Sequence, residues 1–173
     1  MVGEIEEVLD ALNRARVRYL VVGGVAVVLH GHLRTTADLD LVIQLERDNV
    51  LRAMSALRGL QYRPRAPVAA DAFAERETRE EWIREKGLAV FSLWSPAHPT
   101  LEVDIFVAEP FDFDAVHARA IRVPLEKCEV TVIAVEDLID LKRQVGRPRD
   151  QEDIAALESL RDEGGQPDGG GDA

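Results

Sequence analysis

A pair of glycines after a short apolar run constrains the fold of this chain more than any other feature. Residues 19–22 are apolar or aromatic and typical of a buried strand, and Gly23 and Gly24 end that run. Residues 25–30 then predict a helix that begins at the glycines. Because glycine has no Cβ, such a turn leaves backbone N–H groups that a phosphate can approach closely.

Two aspartates follow in the next predicted strand, which covers residues 38–43. Strand alternation places Asp38 and Asp40 on one face, while Leu39 and Leu41 point into the core. Carboxylate oxygens are ligands for hard divalent cations, and such a cation can bridge the protein and a nucleotide. The sequence therefore predicts a metal and phosphate site beside the glycine turn.

A third acid lies in the strand predicted over residues 101–107. Alternation there places Glu102, Asp104 and Phe106 on one face and four aliphatic residues on the other. A carboxylate among strong strand formers indicates a role beyond packing, and Asp104 is the candidate that completes the metal site.

The segment 22–41 resembles the signature of the nucleotidyltransferase superfamily, in which a glycine pair is followed by Asp-x-Asp between apolar residues. The resemblance implies that Asp38, Asp40 and Asp104 are catalytic and hold Mg²⁺, with Mn²⁺ as an alternative. It also implies that Gly23 and Gly24 hold the phosphates of a nucleoside triphosphate. Asp-x-Asp is also the metal motif of many glycosyltransferases, so a glycosyltransferase is the competing interpretation when this motif is taken alone.

Arg34 precedes the first aspartate by four residues, with threonines at positions 35 and 36. In similar proteins an Arg-x-Thr-x-Asp-x-Asp run is frequent, which implies that Arg34 lies near the triphosphate. A guanidinium is a planar donor of several hydrogen bonds and suits phosphate. A surface arginine explains the same residue equally well.

The segment 137–154 resembles the C-terminal part of AbiEii-like nucleotidyltransferases, which include toxins of toxin–antitoxin pairs. The resemblance implies that Lys142 contacts the nucleotide phosphates, although a solvated helix residue is an equal interpretation. Asp150 is predicted first as the N-cap of the last helix, with Asp153 at the third helical position.

Length and composition favour one domain over residues 1–161, followed by a disordered acidic and glycine-rich tail over 162–173. No apolar stretch approaches membrane-spanning length, and residues 1–7 lack the pattern of a signal peptide. Cys128 is the single cysteine, so we expect no disulfide and no thiolate zinc site. These features favour a cytoplasmic protein with no membrane association.

The periodicity predicts an α/β (α+β) fold, in which helices pack on a small mixed sheet and a short helical pair follows. This matches the minimal nucleotidyltransferase core that the resemblance implies. Helices are predicted over 3–16, 25–31, 47–57, 113–119, 135–144 and 150–161. Strands are predicted over 19–22, 38–43, 88–94, 101–107 and, as edge strands, 121–125 and 130–133. Residues 62–86 are predicted to be partly helical.

The remaining aromatic and histidine residues carry weaker signals. Trp94 is expected in the core, whereas Trp82 could line a base pocket. The pair His30 and His32 has metal-ligand spacing, but loop or surface histidines explain it better.

The predicted activity is transfer of a nucleoside monophosphate from a triphosphate such as ATP to an acceptor hydroxyl. The acceptor stays open between tRNA or another RNA, a protein and a small molecule. AbiEii resemblance favours a toxin–antitoxin setting with a cognate partner, whereas Gly-Gly also occurs in enzymes that adenylylate lincosamides or aminoglycosides. The net charge of −11 argues against a surface built for nucleic acid. A nucleotidyltransferase-like antitoxin or non-catalytic nucleotide-binding module is the alternative from another class.

Overall fold

One mixed sheet of seven strands organises residues 2–164, the part of the chain that the computed structural model describes. The strands in this range are β1 (Tyr19–Val21), β2 (Asp38–Ile43), β3 (Arg63–Pro64), β4 (Val90–Trp94), β5 (Glu102–Phe106), β6 (Ile121–Pro124) and β7 (Glu129–Val132). The α-helices are α1 (Val2–Arg14), α2 (Gly23–Leu29), α3 (Arg47–Gly59), α4 (Arg76–Lys86), α5 (Phe113–Ala118), α6 (Val135–Val145) and α7 (Pro148–Gly164). A 3-10 helix covers Ala70–Ala74.

The strand order is β3-β4-β5-β2-β1-β7-β6. The pairs β1–β7 and β2–β5 are parallel, and the other four neighbouring pairs are antiparallel. The structure therefore confirms the predicted mixed sheet with helices packed on it. It also brings β2 and β5 together, although 58 residues separate the end of one from the start of the other.

One face of the sheet is the core face. The alternating residues of β2 and β5 that were predicted to point inward are fully buried there: Leu39, Leu41, Val103 and Ile105. Further along the same sheet, Phe91 of β4 stacks on Phe73 of the 3-10 helix at a centroid distance of 4.8 Å. Trp82 of α4 stacks on Phe91 at 5.4 Å, which makes Trp82 a core residue and removes it as a candidate for a base pocket.

The opposite face carries the acids and faces α2 and α6. Helix α6 buries Leu138 and Leu141 against this side and ends at Gly146, whose φ of +66° is the left-handed conformation common after a helix. The predicted end of this helix is thus confirmed. The packing places α6 across the cleft from the aspartates of β2.

Two local predictions were wrong, while the partly helical prediction for residues 62–86 is confirmed. Strand β7 is not an edge strand, because it lies between β1 and β6, and only β6 is at the edge. Trp94 is 38% exposed rather than buried, since alternation along β4 turns it away from the core face that Phe91 and Leu93 occupy. Residues 62–86 form β3, the 3-10 helix and α4, so the region has more regular structure than its mixed pattern indicates.

The start of the last helix also differs from the prediction. Helix α7 begins at Pro148, so Asp150 is its third residue rather than its N-cap. Proline suits the first helical position because its missing N–H would have no helical partner there. The Asp150 carboxylate accepts a hydrogen bond from the Arg147 backbone N–H at 2.8 Å, so it still caps this helix, but from inside its first turn.

Helix α7 extends to Gly164, three residues beyond the predicted end. The rest of the predicted disordered tail lies outside the described residues. Within residues 2–164, no helix is both long and apolar enough to span a bilayer.

Candidate active site

Asp40 and Asp104 are direct neighbours across the parallel pair β2–β5. Their Cα atoms are register partners, and Asp38 is likewise opposite Glu102. Because alternate residues of a strand share a face, Asp38, Asp40 and Asp104 lie on the same side of the sheet. All three line one cavity of about 280 Å³ between this face and α6. The sequence-predicted acids are therefore brought together by the sheet.

The environment makes two of these acids, Asp40 and Asp104, hard to ionise. Burial raises the pKa of Asp40 to about 6, and the charges of Asp104 and Asp38 add to the rise. Burial also raises the pKa of Asp104, against the hydrogen bond from Ser92. The protein thus holds like charges together in a partly dry site, which is costly unless a positive ligand binds there.

One oxygen of Asp104 lacks a partner. Asp104 Oδ1 is buried and makes no hydrogen bond to any described residue. A buried acceptor without a partner costs free energy, and such groups are concentrated at functional sites. The orphaned oxygen is available to a cation or to a proton of a bound substrate.

The turn at Gly23 passes very close to the side chain of Asp40. Gly23 has a φ of +63°, and a Cβ built on it would lie 2.0 Å from Asp40 Oδ2. A Cβ on Gly24 would lie 2.7 Å from Thr36 Oγ1. The Val22 N–H donates to the Asp40 carbonyl at 3.0 Å, which ties the turn to β2. Glycine is therefore required at position 23 both by conformation and by space.

The donor set fits a cation that is completed by a substrate. Within residues 2–164, no group of three or more His, Cys, Asp or Glu side chains is arranged to hold a metal ion unaided. Mg²⁺ in nucleotide enzymes is commonly held by one or two carboxylates, and phosphate and water oxygens complete its octahedron. Asp38, Asp40 and Asp104 are the residues that could supply these carboxylates. The raised pKa values of Asp40 and Asp104 and the orphaned oxygen of Asp104 fit that role.

Arg34 and Lys142 line the same cavity, but both are held in ion pairs. Lys142 Nζ lies 2.7 Å from Asp153 Oδ2 and 3.3 Å from Asp150 Oδ1, and all three side chains are buried. Arg34 Nη1 also pairs with Asp153. These four residues form a buried ion cluster that joins the loop before β2 to α6 and α7. Neither cation is a solvated surface residue, so that simpler interpretation of each is wrong.

Two arginines of the segment 137–154, to which sequence analysis assigned no role, complete the lining. Arg147, in the turn between α6 and α7, and Arg149, in the first turn of α7, line the cavity on either side of Pro148. The charge of Arg147 opposes the rise in the pKa of both Asp40 and Asp104, in which burial is the largest cause. The signal in the sequence was two arginines directly after a helix-ending glycine, but only the fold shows which way that turn faces.

A second cavity of about 460 Å³ adjoins the first. It shares Arg34, Thr36, Asp38 and Arg149 with the cleft and extends toward His32 and Glu152. The two together give room for a ligand larger than either cavity. The neighbouring His30 lines neither cavity, and its Nε2 is 2.8 Å from the Ile133 carbonyl oxygen.

The fold and this arrangement together define a nucleotidyltransferase fold, and solved structures agree. No protein-family model matches the sequence, and no curated protein is significantly similar to it. The lincomycin-bound crystal structure of the lincosamide antibiotic adenylyltransferase LnuA is similar, with a TM-score of 0.63 and 16% identity over 92% of this chain and 98% of that one.

Two further structures are similar. The complex of ANT(2'')-Ia with adenylyl-2''-tobramycin has a TM-score of 0.56 and 15% identity over 94% of this chain and 95% of that one. An antigenic nucleotidyltransferase-like protein from Paracoccidioides brasiliensis has a TM-score of 0.51 and 16% identity over 88% and 72%. At these identities the likeness confirms the predicted fold, while the AbiEii-like assignment stays a prediction.

Proposed function

We propose that the protein transfers a nucleoside monophosphate from a nucleoside triphosphate to an acceptor hydroxyl and releases pyrophosphate. The observation that carries the proposal is the pairing of Asp40 with Asp104 in the cleft, directly beside the Gly23 turn. The similar adenylyltransferase structures support it through the fold.

Asp38, Asp40 and Asp104 would hold Mg²⁺, for which Mn²⁺ is an alternative. When bound, the ion supplies positive charge for the phosphates and lowers the pKa of the acceptor hydroxyl. The fit rests on the carboxylate chemistry and on the raised pKa values, which a cation would reverse.

Asp104 is the residue that we assign to proton transfer. Its orphaned Oδ1 is free to accept the proton of the acceptor hydroxyl. A carboxyl with a raised pKa is a stronger base than an ordinary aspartate, and proton transfer is most efficient when the pKa approaches the working pH.

Gly23 and Gly24 leave the backbone open beside Asp40, so the phosphates can approach the turn without meeting a side chain. Arg34 and Lys142 lie on the walls of the same cleft. We propose that they contribute positive charge to the nucleotide from within the buried ion cluster.

A small-molecule acceptor is the version of this function that we favour over RNA. The similar structures include a lincosamide adenylyltransferase with bound lincomycin and ANT(2'')-Ia with adenylyl-2''-tobramycin. The chain itself has a net charge of −11, which opposes binding of a polyanion such as tRNA and suits an acceptor that carries amines.

The experiment uses each nucleoside triphosphate labelled either at the α-phosphate or at the γ-phosphate. The protein is incubated with Mg²⁺ and with tRNA, protein extract, lincosamides or aminoglycosides as acceptors. We expect the α-label, and not the γ-label, to appear on an acceptor. Transfer of the γ-label would indicate phosphoryl transfer instead, and binding without any transfer would favour the non-catalytic module.

A further inference from the structure

The cleft contains four cationic side chains that are not equally available to a ligand. Arg34 and Lys142 are fixed by the carboxylates of Asp150 and Asp153. Within residues 2–164, the guanidinium groups of Arg147 and Arg149 make no hydrogen bond or ion pair. Both arginines are exposed to solvent although they line the cavity.

The backbone that carries these two arginines is held in place. Gly146 is in the left-handed conformation, and Pro148 restricts the next turn. Asp150 accepts from the Arg147 N–H at 2.8 Å and also from Lys142, so the buried ion cluster ends directly under the turn. The turn is therefore fixed by buried contacts, while its two side chains are left free to meet a ligand.

The charges that line the cleft indicate what Arg147 and Arg149 could bind. The acids on the opposite wall are Asp38, Asp40 and Asp104, and they would repel a polyphosphate. The pairs of Arg34 and Lys142 with Asp153 offset much of their charge. Arg147 already acts electrostatically across the cleft on Asp40 and Asp104. Arg147 thus lies on the wall opposite the three acids, where a cationic side chain can balance the negative charge of a phosphate.

We propose that Arg147 and Arg149 form a phosphate clamp that binds the triphosphate tail of the nucleotide, and that Asp150 and Asp153 are its positioning residues. The proposal rests on the proposed function. Arginine suits this role because its planar group donates several hydrogen bonds to phosphate oxygens. Arg149 also lines the adjoining cavity, so the clamp lies where the two cavities meet.

The test compares the full chain with Arg147→Ala, Arg149→Ala, the double variant and the matched control Arg143→Ala. Arg143 is an exposed arginine of α6 that pairs with Asp140 and Glu158, and it does not line the cleft. Calorimetry with inorganic tripolyphosphate and Mg²⁺ measures the clamp without any acceptor. We expect the double variant to lose about tenfold or more in affinity and the control to change less than about twofold.

Steady-state kinetics separate a binding role from a structural one. We expect the double variant to raise the KM for the triphosphate far more than it lowers kcat, and we expect Arg147→Lys with Arg149→Lys to recover part of the affinity. The Tm should change little, because neither guanidinium makes a hydrogen bond or an ion pair in the described structure and Arg147 acts on Asp40 and Asp104 only through its charge.

The outcomes distinguish the clamp from the proposed function. Transfer by the wild-type protein with an unchanged KM and unchanged tripolyphosphate affinity in the double variant would overturn the clamp and leave the function standing. Arginine-dependent binding of tripolyphosphate by a protein that transfers no nucleotide would support the clamp and contradict the function.

Discussion

Asp40 and Asp104 lie side by side on parallel strands, and one oxygen of Asp104 is buried without a partner. The sheet therefore places two carboxyls where only a proton or a cation makes them favourable. Such a site lowers the stability of the ligand-free protein, which is the usual exchange between stability and activity at catalytic centres.

We predict that Asp40→Asn abolishes transfer and stabilises the metal-free protein at pH 7. The pKa of about 6, against 3.8 for an ordinary aspartate, corresponds to a cost of up to about 3 kcal/mol for the ionised group. The neutral amide avoids part of this cost. Turnover and Tm in EDTA measure both effects, and Asp140→Asn, at an exposed acid of α6, is the control. Wild-type turnover in Asp40→Asn would contradict the proposal that the protein is a nucleotidyltransferase that depends on this aspartate.

We predict that the stability of the metal-free protein decreases as the pH rises from about 4 to about 6. Folding raises the pKa of Asp40 from 3.8 to about 6. The stability that the protonated side chain contributes is therefore fully present below pH 3.8 and is lost as the pH rises through about 6. Asp104, whose pKa is raised mainly by burial, acts in the same direction. Tm measured in EDTA across this range checks the sign, and Asp40→Asn should flatten the profile.

We predict that Gly23→Ala is far more damaging than Gly24→Ala. An alanine at position 23 meets Asp40 Oδ2 and must adopt a positive φ, whereas at position 24 it has an ordinary φ and meets the side chains of Thr36 and Arg34. We expect Gly23→Ala to cost about 1–3 kcal/mol and most of the activity. Gly59→Ala is the control, since a Cβ there meets nothing within 4 Å. Equal behaviour of both cleft variants would contradict the observed packing.

We predict that Lys142→Ala lowers the free energy of unfolding by about 3 kcal/mol, because it leaves two buried carboxylates with fewer partners. Asp153 would keep only Arg34, and Asp150 would keep only the backbone N–H of Arg147. Arg143→Ala, one residue along and exposed, should change it little. Urea titration of both variants makes the comparison. Similar stability of the two would mean that the buried ion cluster does not hold α6 to α7.

The kinetic effect of Lys142 is a separate prediction. Lys142→Ala should raise the KM for the triphosphate more than Lys142→Arg, because arginine keeps the positive charge on a long side chain. The measurement needs conditions in which both variants are folded. An equal KM in wild type and both variants would assign Lys142 to structure alone.

Local patterns predicted the centre of this molecule well. The alternation around Asp38 and Asp40, the glycines at the start of α2 and the end of α6 at Gly146 are encoded within a few residues, and the structure confirms them. Alternation within each strand placed Asp38 with Asp40 and, separately, Asp104 with Glu102, and the pairing of β2 with β5 brings all three acids to one face. Their register did not follow from alternation, because the pairing of β2 with β5 joins distant segments.

The errors came from contacts that no local pattern contains. Arg34 and Asp153 are 119 positions apart, so their ion pair and the burial of Lys142 could not be read from either segment. Asp150 looked like an N-cap because its residue type suits that position, but Pro148 starts the helix two residues earlier. Trp94 was placed in the core by its size alone, and the direction in which its strand faces decided otherwise.

The most direct test of the account is a crystal structure of the protein with Mn²⁺ and a non-hydrolysable nucleoside triphosphate, in which anomalous scattering locates the ion. We predict an anomalous peak within about 2.0–2.6 Å of oxygens from Asp40 and at least one of Asp38 and Asp104, with the phosphates between Gly23 and Arg147. Mn²⁺ bound elsewhere, or a nucleotide outside this cleft, would contradict the account.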